Sequence, residues 1–163
     1  DELTLTRLGR PLRSAPPGVY RHVADLGALR PALGRPAARE VAAVLSSACA
    51  GLAGADALTA LATALREWAA RHPGRYAALQ VAPDPDDADG RAAAEEVLAV
   101  IASALRAYRL AGDDLTDAIR FVRSTLHGFV VLEQTGGFRQ PRSLDATFAR
   151  IVASLETALS GWS

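Results

Sequence analysis

Residues that carry chemistry are scarce in this chain of 163 residues. A single cysteine, Cys49, leaves no internal disulfide to form, which excludes a disulfide-stapled scaffold and points to a reducing cytoplasm. The three histidines, His22, His72 and His127, fall in separate segments with no pair at helical spacing, so neither a metal nor any other cofactor is expected. Hydrolysis needs a nucleophile, a base and an orienting acid within reach of one another, and no such set is written here. Glu95 and Glu96 are neighbours that face different sides of a helix, as solvated residues do. The chain is therefore not expected to be an enzyme. No apolar run approaches the roughly 20 residues needed to span a bilayer, and no signal peptide opens the sequence, so a soluble, cytoplasmic protein with no membrane partner is expected. Methionine is absent altogether and the first residue is Asp1, from which a missing N-terminal segment is expected.

What the chain does contain is alanine, leucine and arginine. Half of it is hydrophobic, and the β-branched runs that mark strands are few, which predicts an all-α fold. Its length suffices for one good core, or one core with a small appended module. All 18 basic residues are Arg and balance 18 acids, yet the balance is uneven along the chain. Residues 1–40 hold seven Arg against Asp1, Glu2, Asp25 and Glu40, a surplus of +3, leaving −3 for the remainder. A basic end on an acidic body suits a DNA-facing module.

Helix signals recur along the sequence. Thr4 is a plausible N-cap for a short helix bearing Leu5, Leu8 and Leu12. Pro31, Gly34 and Pro36 predict a break or kink, with Pro36 opening a helix to about Ala50 that turns Val41, Val44 and Leu45 inward. Asp56 is the predicted cap of the next helix, carrying Leu58, Leu61, Leu65 and Trp68 until His72-Pro73-Gly74 stops it. A short helix over 75–81 follows. The acidic stretch 82–90 fits a calcium loop poorly, because Pro85 would stand at the first ligand position when Gly90 is set at the sixth. It reads instead as a solvated connector with Asp89 as the cap of a helix over 91–111, striped by Val97, Ile101, Leu105 and Tyr108. Asp113 or Asp114 then opens a helix that ends at Gly136-Gly137. Ser143 or Asp145 opens the last, with Leu144, Phe148, Ile151, Leu155 and Leu159 on one side.

One short element narrows the function. In Val19-Tyr20-Arg21-His22-Val23 the two valines share a helical face and can dock it, while Tyr20, Arg21 and His22 reach outward. Such side chains set the register of a recognition helix on DNA phosphates, and residues nearer its start, here Ser14, Ala15 and Pro17, read base edges. As a bare tetrapeptide, Tyr-Arg-His-Val reads better as an amphipathic turn of any helical protein. Together with Leu5, Leu8, Leu12, Leu26 and Leu29, however, it resembles the helix-turn-helix of the TetR family of one-component transcriptional repressors, whose recognition helix ends in Tyr-x-His-Val or Tyr-x-His-Phe.

The downstream chain resembles one ligand-domain subgroup of that family, through His72-Pro73-Gly74-Arg75-Tyr76, His127-Gly128-Phe129-Val130-Val131-Leu132-Glu133, Gly136-Gly137-Phe138 and Phe148. The resemblance implies a partial helix-turn-helix domain over residues 1–35 and a helical-bundle domain for ligand binding and dimerisation over 36–163. It implies a homodimer paired through the last two helices, for which Gly128, Val131, Leu132, Phe148, Val152 and Leu155 are the candidate contacts. It implies a pocket for a small, largely apolar effector, with Trp68, Tyr76, Leu79, Tyr108, Phe121 and His127 as candidates. Taken singly, each of these reads more readily as plain core than as a ligand contact, and His127 is equally a buried histidine bonded to a carbonyl. The expected function is a ligand-responsive repressor on palindromic operator DNA. The alternatives are a helical scaffold that binds a protein partner and a small helical enzyme.

Overall fold

The computed structural model describes the backbone of residues 26–162 and the side chains of residues 33–162. The expected helix-turn-helix, with Ser14, Ala15, Pro17, Tyr20, Arg21 and His22, lies outside the described residues. Within them the chain is all-α: α1 (Leu26–Cys49), α2 (Gly54–Arg71), α3 (Pro73–Ala78), α4 (Ala88–Ala104), a 3-10 turn (Arg106–Tyr108), α5 (Gly112–Gln134) and α6 (Leu144–Ser160).

The first helix departs from expectation. It runs through Pro31, Gly34 and Pro36 as one element of 24 residues, and the predicted break does not occur. Each proline removes an amide donor from the helix. That loss is offset by packing, which supplies most helical stability in a protein. Ala37, Ala38, Val41, Ala42 and Leu45 are all buried, with α4 and α2 the main partners of the helix, while Pro36 is exposed. The expected domain boundary between residues 35 and 36 therefore falls inside α1.

Other boundaries move by a few residues for local reasons. Helix α2 starts at Gly54, which leaves Asp56 in the first turn rather than at the cap. Helix α3 opens on Pro73 itself, whose missing amide costs nothing at a first helical position. Asp87, not Asp89, caps α4, accepting a 2.9 Å bond from the Gly90 amide. A Cβ at Gly90 would collide with that carboxylate, so glycine lets the cap close. Helix α4 ends at Ala104 instead of reaching Ala111, because the chain tightens into the 3-10 turn and Arg109 turns left-handed (φ 58°). Ser143 caps α6 through a 3.2 Å bond from the Ala146 amide. At the end of α5, Gly136 (φ 71°) lets its own amide reach the Glu133 carbonyl and the Gly137 amide reach that of Leu132 at 2.7 Å. That double return fixes the course of the chain into α6.

The core is one cluster. Leu58, Leu61 and Trp68 of α2, Val122, Leu126 and Val130 of α5, and Leu155 and Leu159 of α6 are all buried within it. Each such side chain contributes about 1.5–3 kcal/mol through the apolar area it withdraws from water. Helix α2 runs through the middle, touching α1, α4, α5 and α6. Its Arg66 reaches the carboxylates of Glu133 on α5 and Asp145 on α6, and Gln134 donates to the Ala69 carbonyl at 2.9 Å. Among the described residues no helix is long and apolar enough to cross a membrane.

Candidate functional site

The bundle is not filled throughout. A cavity of about 570 Å³ lies between α1, α2, α3, α4 and α5, within the range of sites for small organic molecules. Ala38, Val41 and Leu45 form its wall on α1, and Leu61 and Leu65 its wall on α2. Val97, Leu98 and Ile101 of α4 and Val122 and Leu126 of α5 complete an apolar interior. The side formed by Gln80, Val81 and Ala82 is exposed to solvent, with Val81 at 48%. Arg120, Arg123 and Ser124 of α5, also in the lining, are exposed as well.

Polar groups are few. Tyr76 of α3 and His127 of α5 meet across the cavity wall, hydroxyl to Nδ1 at 3.0 Å. Burial pushes the Tyr76 hydroxyl up to about 12, against the opposing influence of the Arg123 charge nearby, so it stays protonated at neutral pH. A hydroxyl that donates to Nδ1 leaves the second imidazole nitrogen as the N–H donor. At the rim, the Arg35 Nε of α1 donates to Asp87 Oδ2 at 2.9 Å, so the residue that caps α4 is also tied to α1. Among the described residues no group of three potential ligands could hold a metal ion.

Of the six residues expected around a ligand, Tyr76, Leu79 and His127 line this cavity. The other three lie elsewhere. Trp68 is buried between α2 and α1, its indole N–H donating to Glu40 Oε1 at 3.1 Å. Tyr108 is buried in the 3-10 turn, its hydroxyl without a partner among the described residues. Phe121 stacks on Trp162 at 5.6 Å. The expected carbonyl partner of His127 is replaced by the Tyr76 hydroxyl. Arg35, Asp87 and Arg123, which line the cavity, were not candidates from sequence, because a charged residue on a helix ordinarily reads as solvated.

The six residues expected between subunits divide as well. Val131 (36%) and Leu132 (45%) are exposed, and Gly128 is half-buried, with nothing among the described residues beyond its own helix within 4 Å of a Cβ placed on it. Phe148, Val152 and Leu155 are buried in the protomer's own core. Ring contacts hold Phe148 at 5.0 Å from Phe129.

Residues 58–155 match the family described as Tetracyclin repressor-like, C-terminal domain, a span that takes in most of α2, all of α3 to α5 and most of α6. The chain belongs to the TetR family. Along 160 residues it is 34% identical to the uncharacterized HTH-type transcriptional regulator Rv0681 of Mycobacterium tuberculosis, covering 98% of this chain and 73% of that protein. The crystal structure of SCO4313, described as a regulatory protein, superposes with a TM-score of 0.70 at 27% identity, covering 94% of this chain and 84% of the other. A Rhodococcus sp. RHA1 protein of unknown function shares the fold at a TM-score of 0.71 and 20% identity, over 97% and 85% of the two chains. This TetR-family chain is thus a transcriptional regulator, a class of protein that is not enzymatic.

Proposed function

We propose that this regulator is a ligand-responsive repressor that binds palindromic operator DNA as a homodimer, and that a small, largely apolar molecule in the cavity releases it or alters its grip. The observation that carries the reading is the position of the cavity against α1, the helix through which the bundle connects to residues 1–25. A molecule seated among Ala38, Val41 and Leu45 touches that helix directly. It favours whichever arrangement of α1 it binds better, and the shift is limited by that difference in affinity.

The dimer would pair α5 and α6 with their counterparts through Gly128, Val131 and Leu132. Gly128 supports this, since among the described residues nothing beyond its own helix lies within 4 Å of a Cβ placed there. Two recognition helices would then enter successive major grooves about 34 Å apart. Tyr20, Arg21 and His22 would hold phosphates, and Ser14, Ala15 and Pro17 would lie nearest the bases, with residues 1–35 as the DNA module and 36–163 as the sensor. Such a protein works in the cytoplasm, on DNA.

The test is binding to duplexes selected from a random-sequence pool, with a salt series. Tyr20→Phe combined with Arg21→Ala should weaken binding to every sequence, while changes at Ser14 or Pro17 alter which sequences are preferred. Equal affinity of the double variant and the parent overturns the assignment. Capture of a protein partner without any DNA retention would favour a scaffold instead.

A further inference from the structure

The cavity is apolar, but its charged groups are not balanced. Four charged residues line it: Arg35, Arg120 and Arg123 against the single acid Asp87. Asp87 is engaged by Arg35 at Oδ2 and by the Gly90 amide at Oδ1, and the Arg35 charge balances its own. The charge left over at the cavity is therefore positive, which favours an anionic ligand over a cationic one. Arg120 leans on Asp117, one turn back on its own helix, at 3.4 Å. Arg123, exposed at the edge of the cavity, has no acidic partner among the described residues, and it stands near enough to the Tyr76 hydroxyl for its charge to act there.

Resting on the reading of this cavity as an effector site, we propose that the effector is an amphipathic carboxylic acid. Its carboxylate is received by the Arg123 guanidinium, and its hydrocarbon body lies among Val41, Leu61, Leu65, Val97 and Ile101. A guanidinium presents parallel N–H donors that match a planar carboxylate, and such charge-assisted pairs are about twice as strong as neutral hydrogen bonds. The hydroxyl of Tyr76 and the imidazole of His127 lie on the same side of the cavity, as α5 carries both Arg123 and His127 one turn apart. An uncharged head leaves Arg123 unpaired and an ammonium head meets it with like charge.

Three probes with one tail decide the matter: octanoate, 1-octanol and octylamine, titrated calorimetrically into the whole chain at neutral pH. Octanoate should bind about tenfold more tightly than 1-octanol, the equivalent of about 1.4 kcal/mol, with octylamine weakest. Arg123→Gln should erase the advantage of octanoate while leaving 1-octanol unchanged, and Arg123→Lys should keep part of it. Equal binding of octanoate and 1-octanol, or an advantage that survives Arg123→Gln, overturns the proposal. The cavity itself is tested apart, by Leu65→Trp and Val97→Trp, two half-buried positions where added bulk should abolish binding of both probes. If 1-octanol still binds to folded forms of both variants, or if no probe binds the parent chain, the effector-site reading falls together with the ligand class.

Discussion

Arg66 holds Glu133 with two parallel hydrogen bonds, Nε to Oε2 at 2.9 Å and a terminal nitrogen to Oε1 at 2.5 Å, while its guanidinium lies 4.8 Å from the ring centre of Phe148. One side chain thus ties α2 to α5 and α6, with Asp145 accepting a further contact at 2.8 Å. The arrangement needs a flat, forked cation: the pair and the ring contact both use the guanidinium plane. Arg66→Ala is expected to cost about 2 kcal/mol, the range for a charge-assisted bond whose partner stays partly buried. Arg66→Lys should recover less than half of that. Urea unfolding of the two variants checks both statements, and full recovery by lysine would show that charge alone matters.

Glu40 predicts how stability responds to acid. Its carboxylate is held below the ordinary value of 4.5, first by the Trp68 N–H and then by the charges of Arg75 and His72, with partial burial opposing. A depressed carboxylate contributes stability that is present above its unfolded pKa and lost as pH falls through the folded one. The loss should therefore set in below pH 4.5. Glu40→Gln, which keeps the shape without the titration, should flatten this acid limb of the melting-temperature profile. Trp68→Phe should flatten it in part, through loss of the leading contribution.

Tyr76 makes the opposite prediction at high pH. Its hydroxyl, pushed by burial from 10.0 to about 12, favours the folded state while protonated. That preference is intact below pH 10 and is lost as pH rises to about 12, a change of about 2 to 3 kcal/mol. Near-ultraviolet tyrosinate absorbance should show a late-titrating group that disappears in Tyr76→Phe. The same variant at neutral pH should cost about 1 kcal/mol, because His127 Nδ1 loses its partner.

The same residues show what a sequence can and cannot convey about this fold. Leu58, Leu61 and Trp68 recur at helical spacing and were legible as one face of α2, since burial and periodicity are both properties of a single helix. Pro31 and Pro36 predicted a break because local chemistry opposes a helix there, and only the packing of Val41 and Leu45 on neighbouring helices reverses the balance. Asp87 and Asp89 are equally good caps in isolation; the choice depends on Gly90 leaving room for the nearer carboxylate. The cavity was half legible. Tyr76 and His127 face it while Trp68 and Phe121 face other neighbours, and that distinction depends on how helices lean on one another. Arg123 carried no signal, because its place in the cavity lining, with no acidic partner among the described residues, is a fact about three dimensions.

Gly128 tests the proposed dimer without disturbing the protomer. Among the described residues a Cβ there meets nothing within 4 Å beyond its own helical turns, and replacing a mid-helix glycine removes a conformational cost of about 1 kcal/mol. Gly128→Leu should therefore leave the protomer folded, as judged by circular dichroism, and shift sedimentation from dimer to monomer at micromolar concentration. A dimer that persists in the variant would place the interface on another face.

Pro36 tests the link between sensor and DNA module. It is exposed in the middle of α1, one residue from Arg35 at the rim of the cavity, and it withholds an amide from the helix at that point. Pro36→Ala restores the missing bond without touching the buried face formed by Ala37, Ala38 and Val41. Stability should rise by about 1 kcal/mol or more, given that proline is disfavoured by about 3 kcal/mol in a helix interior. The stiffer helix should also transmit ligand occupancy to DNA more strongly, so the ratio of operator affinities with and without ligand should widen. A more stable variant with an unchanged ratio would mean that α1 moves as a rigid rod already, and that its proline does not tune the response.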